Sequence, residues 1–153
     1  EALLNSLIAT GYKIPSKEKG IMISSGGTKE KASMLDAAQA LVKNGYTVYA
    51  SEGTAKFLND NHVKAIAVAW PDEDHKDMPN VMEMIADHKF DLIVNIPKNH
   101  TRRELTNGYR IRRGAIDHNI PLMTNARLAS AFIEAFCTLS QDDLQIKSWQ
   151  EYE

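Results

Sequence analysis

The sequence predicts an α/β protein with three layers, in which helices cover both faces of a parallel sheet. Five short apolar segments rich in Ile or Val are flanked by turn or polar residues, which is typical of buried strands. Amphipathic stretches with helical spacing lie between them. Because the crossover between parallel strands is right-handed and returns over the sheet, this strict alternation favours a doubly wound arrangement.

The first residues have a helical pattern of their own. Leu3, Leu4, Leu7 and Ile8 recur at helical spacing before Gly11 and Pro15, and "PSKEKG" then predicts a linker. Residues 1–19 are therefore assigned to the end of a preceding region and a linker. The main domain is expected at 20–140, and 141–153 is expected to form a C-terminal tail.

Within the main domain, the predicted strands are "GIMIS", "YTVYA", "AIAVAW", "DLIVNI" and "IPLMT". The Asn44-Gly45 pair predicts a helix stop, and Asn125 is expected to cap the last helix. The helices are predicted at 28–44, 53–61, 81–88, 102–118 with a break near "TNGY", and 125–139.

Composition limits the kind of protein. The chain has 153 residues with 43% hydrophobic content, which suits one domain, and a net charge of -2 gives no general attraction to nucleic acid or anionic lipid. Cys137 lies in an apolar helical pattern and is expected to be a buried thiol. No apolar run is as long as the roughly 20 residues of a membrane span, and no signal peptide is recognised. A cytoplasmic location is the expectation.

Polar residues follow each predicted strand: "SSGGTKEK", "SEGT", "WPDEDHKDMPN", "NIPKNHT" and "TN". In parallel sheets the carboxyl ends of the strands meet at one edge, where ligands bind. These residues are therefore expected to line one crevice.

Two of these segments could bind an anion. In "SEGT", Ser51 and Thr54 can direct hydroxyls at an anion beside a helix amino terminus, or one of them can simply cap that helix. "SSGGTKEK" is a simple turn or an anion loop, and it matches neither common phosphate-loop pattern. Trp70 fits either the core or the crevice. Asn95 interrupts an apolar strand and must hydrogen-bond to a neighbouring loop or a ligand.

The sequence gives little support for catalysis or metal binding. The five histidines form no zinc-ligand pair, and no G-x-S-x-G elbow is present. The acidic run at 72–77 is interpreted as a solvated loop. The arginines of 102–113 are interspersed with acids, which favours a partner or solvent face over RNA. No metal ligand and no nucleic-acid or membrane partner is predicted.

Five segments in order resemble one known family: "TGYKIP", "YASEGTAKFL", "VAWP", "DLIVNIPKN" and "YRIRRGAIDHNIPLMTN". Together they resemble the C-terminal regulatory, methylglyoxal-synthase-like domain of the carbamoyl-phosphate synthase large chain. The resemblance covers essentially the whole chain, and it implies that residues 1–19 are the end of a preceding ATP-grasp region and a linker. It implies a Rossmann-like sheet of five parallel strands with the order 3-2-1-4-5.

The resemblance also implies a regulatory function. Such domains do no chemistry and bind effectors that tune synthesis of carbamoyl phosphate, for arginine and pyrimidine biosynthesis, from ATP, bicarbonate and ammonia elsewhere in the chain. ATP with Mg or Mn would be used by the full enzyme, with no cofactor in this domain. The implied partners are an anionic effector, the remainder of the large chain, a glutaminase small chain and a second copy of the domain. An ammonia-using urea-cycle enzyme would lie in the mitochondrial matrix.

The implied effector-binding residues follow by position. Ser51 and Thr54 match the hydroxyl pair of both branches of the family, which bind nucleotides such as UMP and IMP or N-acetylglutamate. Trp70 stands where nucleotide-binding members have lysine and the N-acetylglutamate branch has tryptophan. The remaining candidates are Asn95, Lys98 and Asn107, with Ser24 and Lys29 from the first loop.

Two alternatives stay open. Methylglyoxal synthase shares the turn after the second strand, but its "GGD" after the third strand is replaced here by "WPDEDHKDMPN". Asp72 and Asp74 would be the carboxylates to test for that lyase. The other alternative is a vestigial crevice in a domain that only contacts the rest of the large chain or forms oligomers.

Overall fold

A five-stranded parallel sheet with the strand order β3-β2-β1-β4-β5 forms the centre of the protein. The structure is a computed structural model that describes residues 13–26, 28–73, 77–96 and 101–150. The predicted fold class and strand order are confirmed. The elements are β1 Gly20–Ser25, α1 Thr28–Lys43, β2 Thr47–Ser51, α2 Glu52–Asp60, β3 Ile66–Val68, α3 Val81–Ala86, β4 Phe90–Ile96, α4 Arg102–Asp117, β5 Leu122–Met123 and α5 Ala126–Gln150.

The central strand β1 is buried on both faces, so its alternate side chains enter two different cores. Ile21 and Ile23 pack in a cluster with residues of α1, α2 and α5. Met22 points to the other face, where residues of α3 and α4 cover the sheet. Burial on both faces explains why this strand is continuously apolar rather than alternating. It also brings the β1 carboxyl end to the middle of the crevice edge.

Four helices end in the same hydrogen-bonded motif. At the end of α1, the Tyr46 N–H donates to the Leu41 carbonyl at 3.0 Å, and Gly45 has φ of 89°. This is the Schellman arrangement, which confirms the predicted stop at Gly45. The ends of α2, α3 and α4 repeat it with positive φ at His62, His88 and Asn119. At the start of α5, Asn125 Oδ1 accepts the Leu128 N–H at 2.9 Å, which confirms the predicted cap.

Two predictions about the helices are wrong, namely the break within α4 and the end of α5. The break near "TNGY" does not occur, because α4 is continuous from Arg102 to Asp117. Gly108 costs a helix about 1 kcal/mol relative to alanine, and a β-carbon there would lie 2.9 Å from Arg112 Nη1, so alanine would require the guanidinium to shift. The last helix does not end at Leu139 but continues to Gln150. The helix expected at the start of the chain lies outside the described residues.

Within the described ranges, no helix is long and apolar enough to cross a membrane.

Candidate functional site

A cleft of about 250 Å³ opens at the carboxyl ends of the strands. Its wall comes from the ends of β1 and β2, the first turns of α1 and α2, and the start of α4, as expected for a doubly wound sheet. Its lining is Ser24, Ser25, Gly26, Lys31, Ser51, Gly53, Thr54, Trp70, Thr101, Arg103 and Asn107. The structure therefore brings together Ser24, Ser51, Thr54, Trp70 and Asn107 from the candidates predicted by sequence.

The turn from β2 into α2 exposes a helix amino terminus to this cleft. Ser51 occupies the cap position, but its side chain makes no hydrogen bond to a backbone N–H of the first turn. Ser51 Oγ donates instead to Thr54 Oγ1 at 3.0 Å. The first backbone N–H groups of a helix have no partner within the helix, and the helix dipole adds positive potential there. Without a side-chain cap, these groups are available to an anion.

Thr54 joins this turn to the end of β1. Its Oγ1 donates to the Ser25 carbonyl at 3.0 Å and accepts the Ser25 N–H at 3.1 Å, in addition to the Ser51 hydroxyl. A hydroxyl has one donor and two acceptor sites, so all three are used. Thr54 therefore holds the cleft wall in place, and in this arrangement its hydroxyl has no proton to give a ligand.

The Ser25 hydroxyl differs from that of Thr54, because it has no hydrogen-bond partner in the part of the chain that the structure describes. Its side chain is only 2% exposed and lines the cleft, and its Oγ is the one buried side-chain oxygen or nitrogen without a hydrogen-bond partner among the described residues. Leaving a buried polar group unpaired costs about 1 to 3 kcal/mol. The sequence analysis missed Ser25, although it stands next to Ser24 in the same loop.

A lysine lies across the same turn. A β-carbon at Gly53 would be 3.4 Å from Lys31 Nζ, so glycine lets the ammonium lie close to the start of α2. The predicted Lys29 is exposed on α1 and does not line the cleft. Lys29 and Lys31 are two residues apart on α1, which separates their side chains by about 200° around the helix axis. Only one of these two lysines can therefore face the cleft.

Trp70 serves both the core and the cleft. It is half-buried, packs against the apolar cluster beneath α3 and α4, and also lines the cleft. The following residues form a turn in which the Glu73 N–H donates to the Trp70 carbonyl at 3.0 Å. Glu73 Oε1 accepts the Trp70 N–H at 3.0 Å, so the backbone N–H and carbonyl of Trp70 are both bonded to Glu73.

Arg103 lines the cleft from α4 and forms an ion pair with the same turn. Its Nε and Nη2 donate to the two carboxylate oxygens of Asp72 at 2.8 and 3.2 Å, and Nη2 lies 3.6 Å from Glu73 Oε2. The hydrogen bonds from Arg103 lower the pKa of the Asp72 carboxyl, and burial opposes this. The acidic run is thus paired at Asp72 rather than wholly solvated.

Asn95 lies next to the cleft rather than in its lining. It is 3% exposed, and its Oδ1 accepts a hydrogen bond from Arg112 Nη1 of α4 at 3.1 Å. The sequence analysis expected a neighbouring loop or a ligand as its partner, and the structure gives it a neighbouring helix instead. Asn107 is buried in the lining at 2% exposure, and Lys98 lies outside the described residues.

The arrangement suits binding of an anion. It offers an uncapped helix amino terminus, an ammonium, a guanidinium and a buried hydroxyl. In the part of the chain that the structure describes, no group of three or more His, Cys, Asp or Glu side chains could hold a metal ion.

Comparison with known proteins identifies the family of the chain. Residues 33–124 match the MGS-like domain family. The chain is 38% identical over 150 residues to multifunctional protein CAD of Squalus acanthias and 39% identical over 145 residues to multifunctional protein URA2 of Saccharomyces cerevisiae. It is 37% identical over 138 residues to the human mitochondrial carbamoyl-phosphate synthase (ammonia). Each match covers 88% of this chain but only 6%, 6% and 9% of the relative.

Solved structures share the fold at low sequence identity. A methylglyoxal synthase from Elizabethkingia anophelis superposes with a TM-score of 0.52 at 12% identity, covering 78% of this chain and 80% of that chain. The protein ForH superposes with a TM-score of 0.54 at 18% identity, covering 80% and 78%. At these identities the likeness concerns the fold alone.

Proposed function

Given that the chain belongs to the MGS-like domain family, we propose that it binds a small anionic effector in the cleft and does no chemistry itself. Binding would regulate ATP-dependent synthesis of carbamoyl phosphate by the larger protein of which such a domain is part. The similarity to a carbamoyl-phosphate synthase over 88% of the chain supports this assignment. The effector would act by favouring one arrangement of the domain against the rest of that protein.

The buried Ser25 hydroxyl carries the proposal. An unpaired polar group inside a fold lowers stability, and a ligand oxygen that accepted its proton would remove that cost. The uncapped start of α2 and the Lys31 ammonium border the same cleft and favour negative charge. A neutral ligand would use the hydroxyl but not these two features, so an anion is the better fit.

Trp70 favours an acyl amino acid such as N-acetylglutamate over a nucleotide. By the family resemblance, nucleotide-binding members have a lysine at this position. In this chain the indole borders the cleft, so it offers an apolar surface where that lysine would offer a charge for a phosphate. The carboxylate would then lie against the start of α2, and the acyl portion would lie towards the indole.

Calorimetry with a panel of effectors tests the proposal. UMP, IMP, UTP, phosphoribosyl pyrophosphate, N-acetylglutamate and ornithine would each be titrated into the chain. A ligand present at 100 times its dissociation constant should also raise the free energy of unfolding by about 2.7 kcal/mol. Absence of heat and of stabilisation with every member of the panel would favour the vestigial alternative.

Ser25→Ala separates binding from folding. Loss of a hydrogen bond to a charged ligand group costs about 1.5 to 3 kcal/mol, so binding should weaken about tenfold or more. Because the hydroxyl has no partner in the ligand-free protein, its removal should leave the free energy of unfolding unchanged or raise it. A variant that binds normally would remove Ser25 from the site.

The lyase alternative needs a carboxylate base at the cleft. No Asp or Glu is found among the described lining residues, and Asp72 is paired with Arg103. Asp74 lies outside the described ranges. An assay for conversion of dihydroxyacetone phosphate to methylglyoxal decides between the two functions: turnover that Asp72→Asn or Asp74→Asn abolishes would replace the regulatory proposal with an enzymatic one.

A further inference from the structure

A carboxylate of the protein already binds one of the cations of the cleft. Asp72 contacts Arg103 through both of its oxygens, in the two-pronged geometry that arginine also uses for ligand carboxylates and phosphates. Arg103 also lines the cleft. Asp72 thus binds a cationic group that could otherwise contact an anionic ligand.

The turn that carries Asp72 is firmly held. Asn80 Nδ2 donates to the carbonyl oxygens of Trp70 at 3.0 Å and Glu73 at 2.9 Å, while its Oδ1 accepts the Met82 N–H at 2.8 Å at the start of α3. These three bonds tie both ends of the turn to α3. Asp72 is therefore presented to Arg103 by a fixed backbone, whereas the Arg103 side chain is 64% exposed and flexible enough to change partners.

We propose that Asp72 competes with the anionic effector for Arg103. In the ligand-free protein Arg103 is paired with Asp72, and an effector with a second anionic group draws the guanidinium away from Asp72 into the cleft. The inference rests on the proposed function, and it deepens that function by requiring two anionic groups, one near α2 and Lys31 and one near Arg103. A dicarboxylate or a phosphorylated acid has this chemistry, whereas a monoanion would leave Arg103 with Asp72.

Two physical points support an exchange of this kind. Ion pairs between exposed side chains are weak in water, so the Arg103–Asp72 pair opposes a ligand only modestly. Inside a cleft that excludes part of the water, the same guanidinium would interact more strongly with a ligand anion. The exchange would also alter the charge around the turn that begins at Trp70, which gives ligand binding a route to the loop between β3 and α3.

Substitution of Asp72 tests the competition directly. Asp72→Asn keeps the shape of the side chain and removes its charge, so of its described ion pairs Arg103 keeps only the longer one with Glu73, and N-acetylglutamate should bind about two- to fivefold more tightly. Asp117→Asn is the matched control, because Asp117 forms an exposed ion pair with Arg113 on the same helix and its loss changes the net charge equally. Acetate serves as the monoanionic probe, and its affinity should be the same for the wild type and for Asp72→Asn.

A second substitution identifies the cation. Arg103→Gln should weaken N-acetylglutamate binding, and adding Asp72→Asn to it should give no further gain. Independently of affinity, the Nε–H resonance of Arg103 should shift on addition of N-acetylglutamate, because its partner changes from Asp72 to the ligand.

The outcomes separate the two proposals. If neither the wild-type chain nor Asp72→Asn binds any member of the panel, the proposed function itself is refuted. If the wild type binds N-acetylglutamate and Asp72→Asn binds it no more tightly than Asp117→Asn does, the competition is refuted while the effector site stands. An Arg103 resonance that is unmoved by saturating ligand refutes it equally.

Discussion

Replacement of Thr54 by valine should destabilise the chain far more than the loss of one hydroxyl suggests. Valine has nearly the shape of threonine, so the substitution removes hydrogen bonds without leaving a large cavity. Thr54 is 2% exposed, and its Oγ1 makes three hydrogen bonds that link β1 to the start of α2. All three would be lost together.

The magnitude follows from those three bonds. Each contributes about 0.5 to 1.5 kcal/mol net, and the substitution also strands the N–H and carbonyl of Ser25 in a buried site. We therefore expect Thr54→Val to lower the free energy of unfolding by about 2 to 4 kcal/mol. Thr54→Ser keeps the hydroxyl and loses one buried methyl group, which should cost about 1 kcal/mol.

Urea denaturation of the three proteins measures the difference. The midpoint should fall much further for valine than for serine, with an unchanged dependence on urea concentration. Effector binding should survive in Thr54→Ser and fail in Thr54→Val, because the valine protein no longer holds Ser25 and Ser51 in place. A valine protein as stable as the serine protein would refute the structural role assigned to this hydroxyl.

Two further predictions concern the fold away from the cleft. Gly45→Ala should lower the free energy of unfolding by about 1 to 2 kcal/mol, because φ of 89° is costly for a residue with a β-carbon; unchanged thermal unfolding would contradict this. Burial raises the pKa of the Cys137 thiol to about 11 from 9.0, so its contribution to stability is fully present below pH 9 and is lost as the pH rises through 11. Urea titrations across this range should show a steeper loss of stability for the wild type than for Cys137→Ala, and parallel curves would contradict the assignment.

The sheet could be predicted because every strand carries its own signal. Each is a short apolar segment bounded by polar turns, and the right-handed crossover rule restricts how such segments connect. The error in α4 had a different origin. Gly108 is a helix breaker by local propensity, but α4 continues through it in the structure.

The cleft could be predicted as a location but not as a set of contacts. Because Ser51, Thr54 and Trp70 lie at or just after the ends of strands, their location at one edge of the sheet can be predicted without knowing their hydrogen-bond partners. Whether a hydroxyl is satisfied depends on atoms tens of residues away, as the bonds between Thr54 and Ser25 illustrate. The choice between Lys29 and Lys31 likewise depends on how α1 is rotated about its axis, which the local sequence does not determine.

The hydroxyls of Thr54 and Ser25 have different roles at this site, one in folding and the other in the proposed binding. Thr54 has every hydrogen-bonding site occupied by protein groups, so it gives the cleft wall its rigidity and has nothing left for a ligand. Ser25 is bonded to Thr54 through its backbone alone, and its side chain is left buried and unpaired at the cleft. If the end of β1 were only structural, alanine would serve better at position 25, since it avoids the cost of an unpaired hydroxyl. This division of roles supports the proposed binding function over a vestigial crevice, and under that proposal the ligand contact lies one strand away from the turn between β2 and α2.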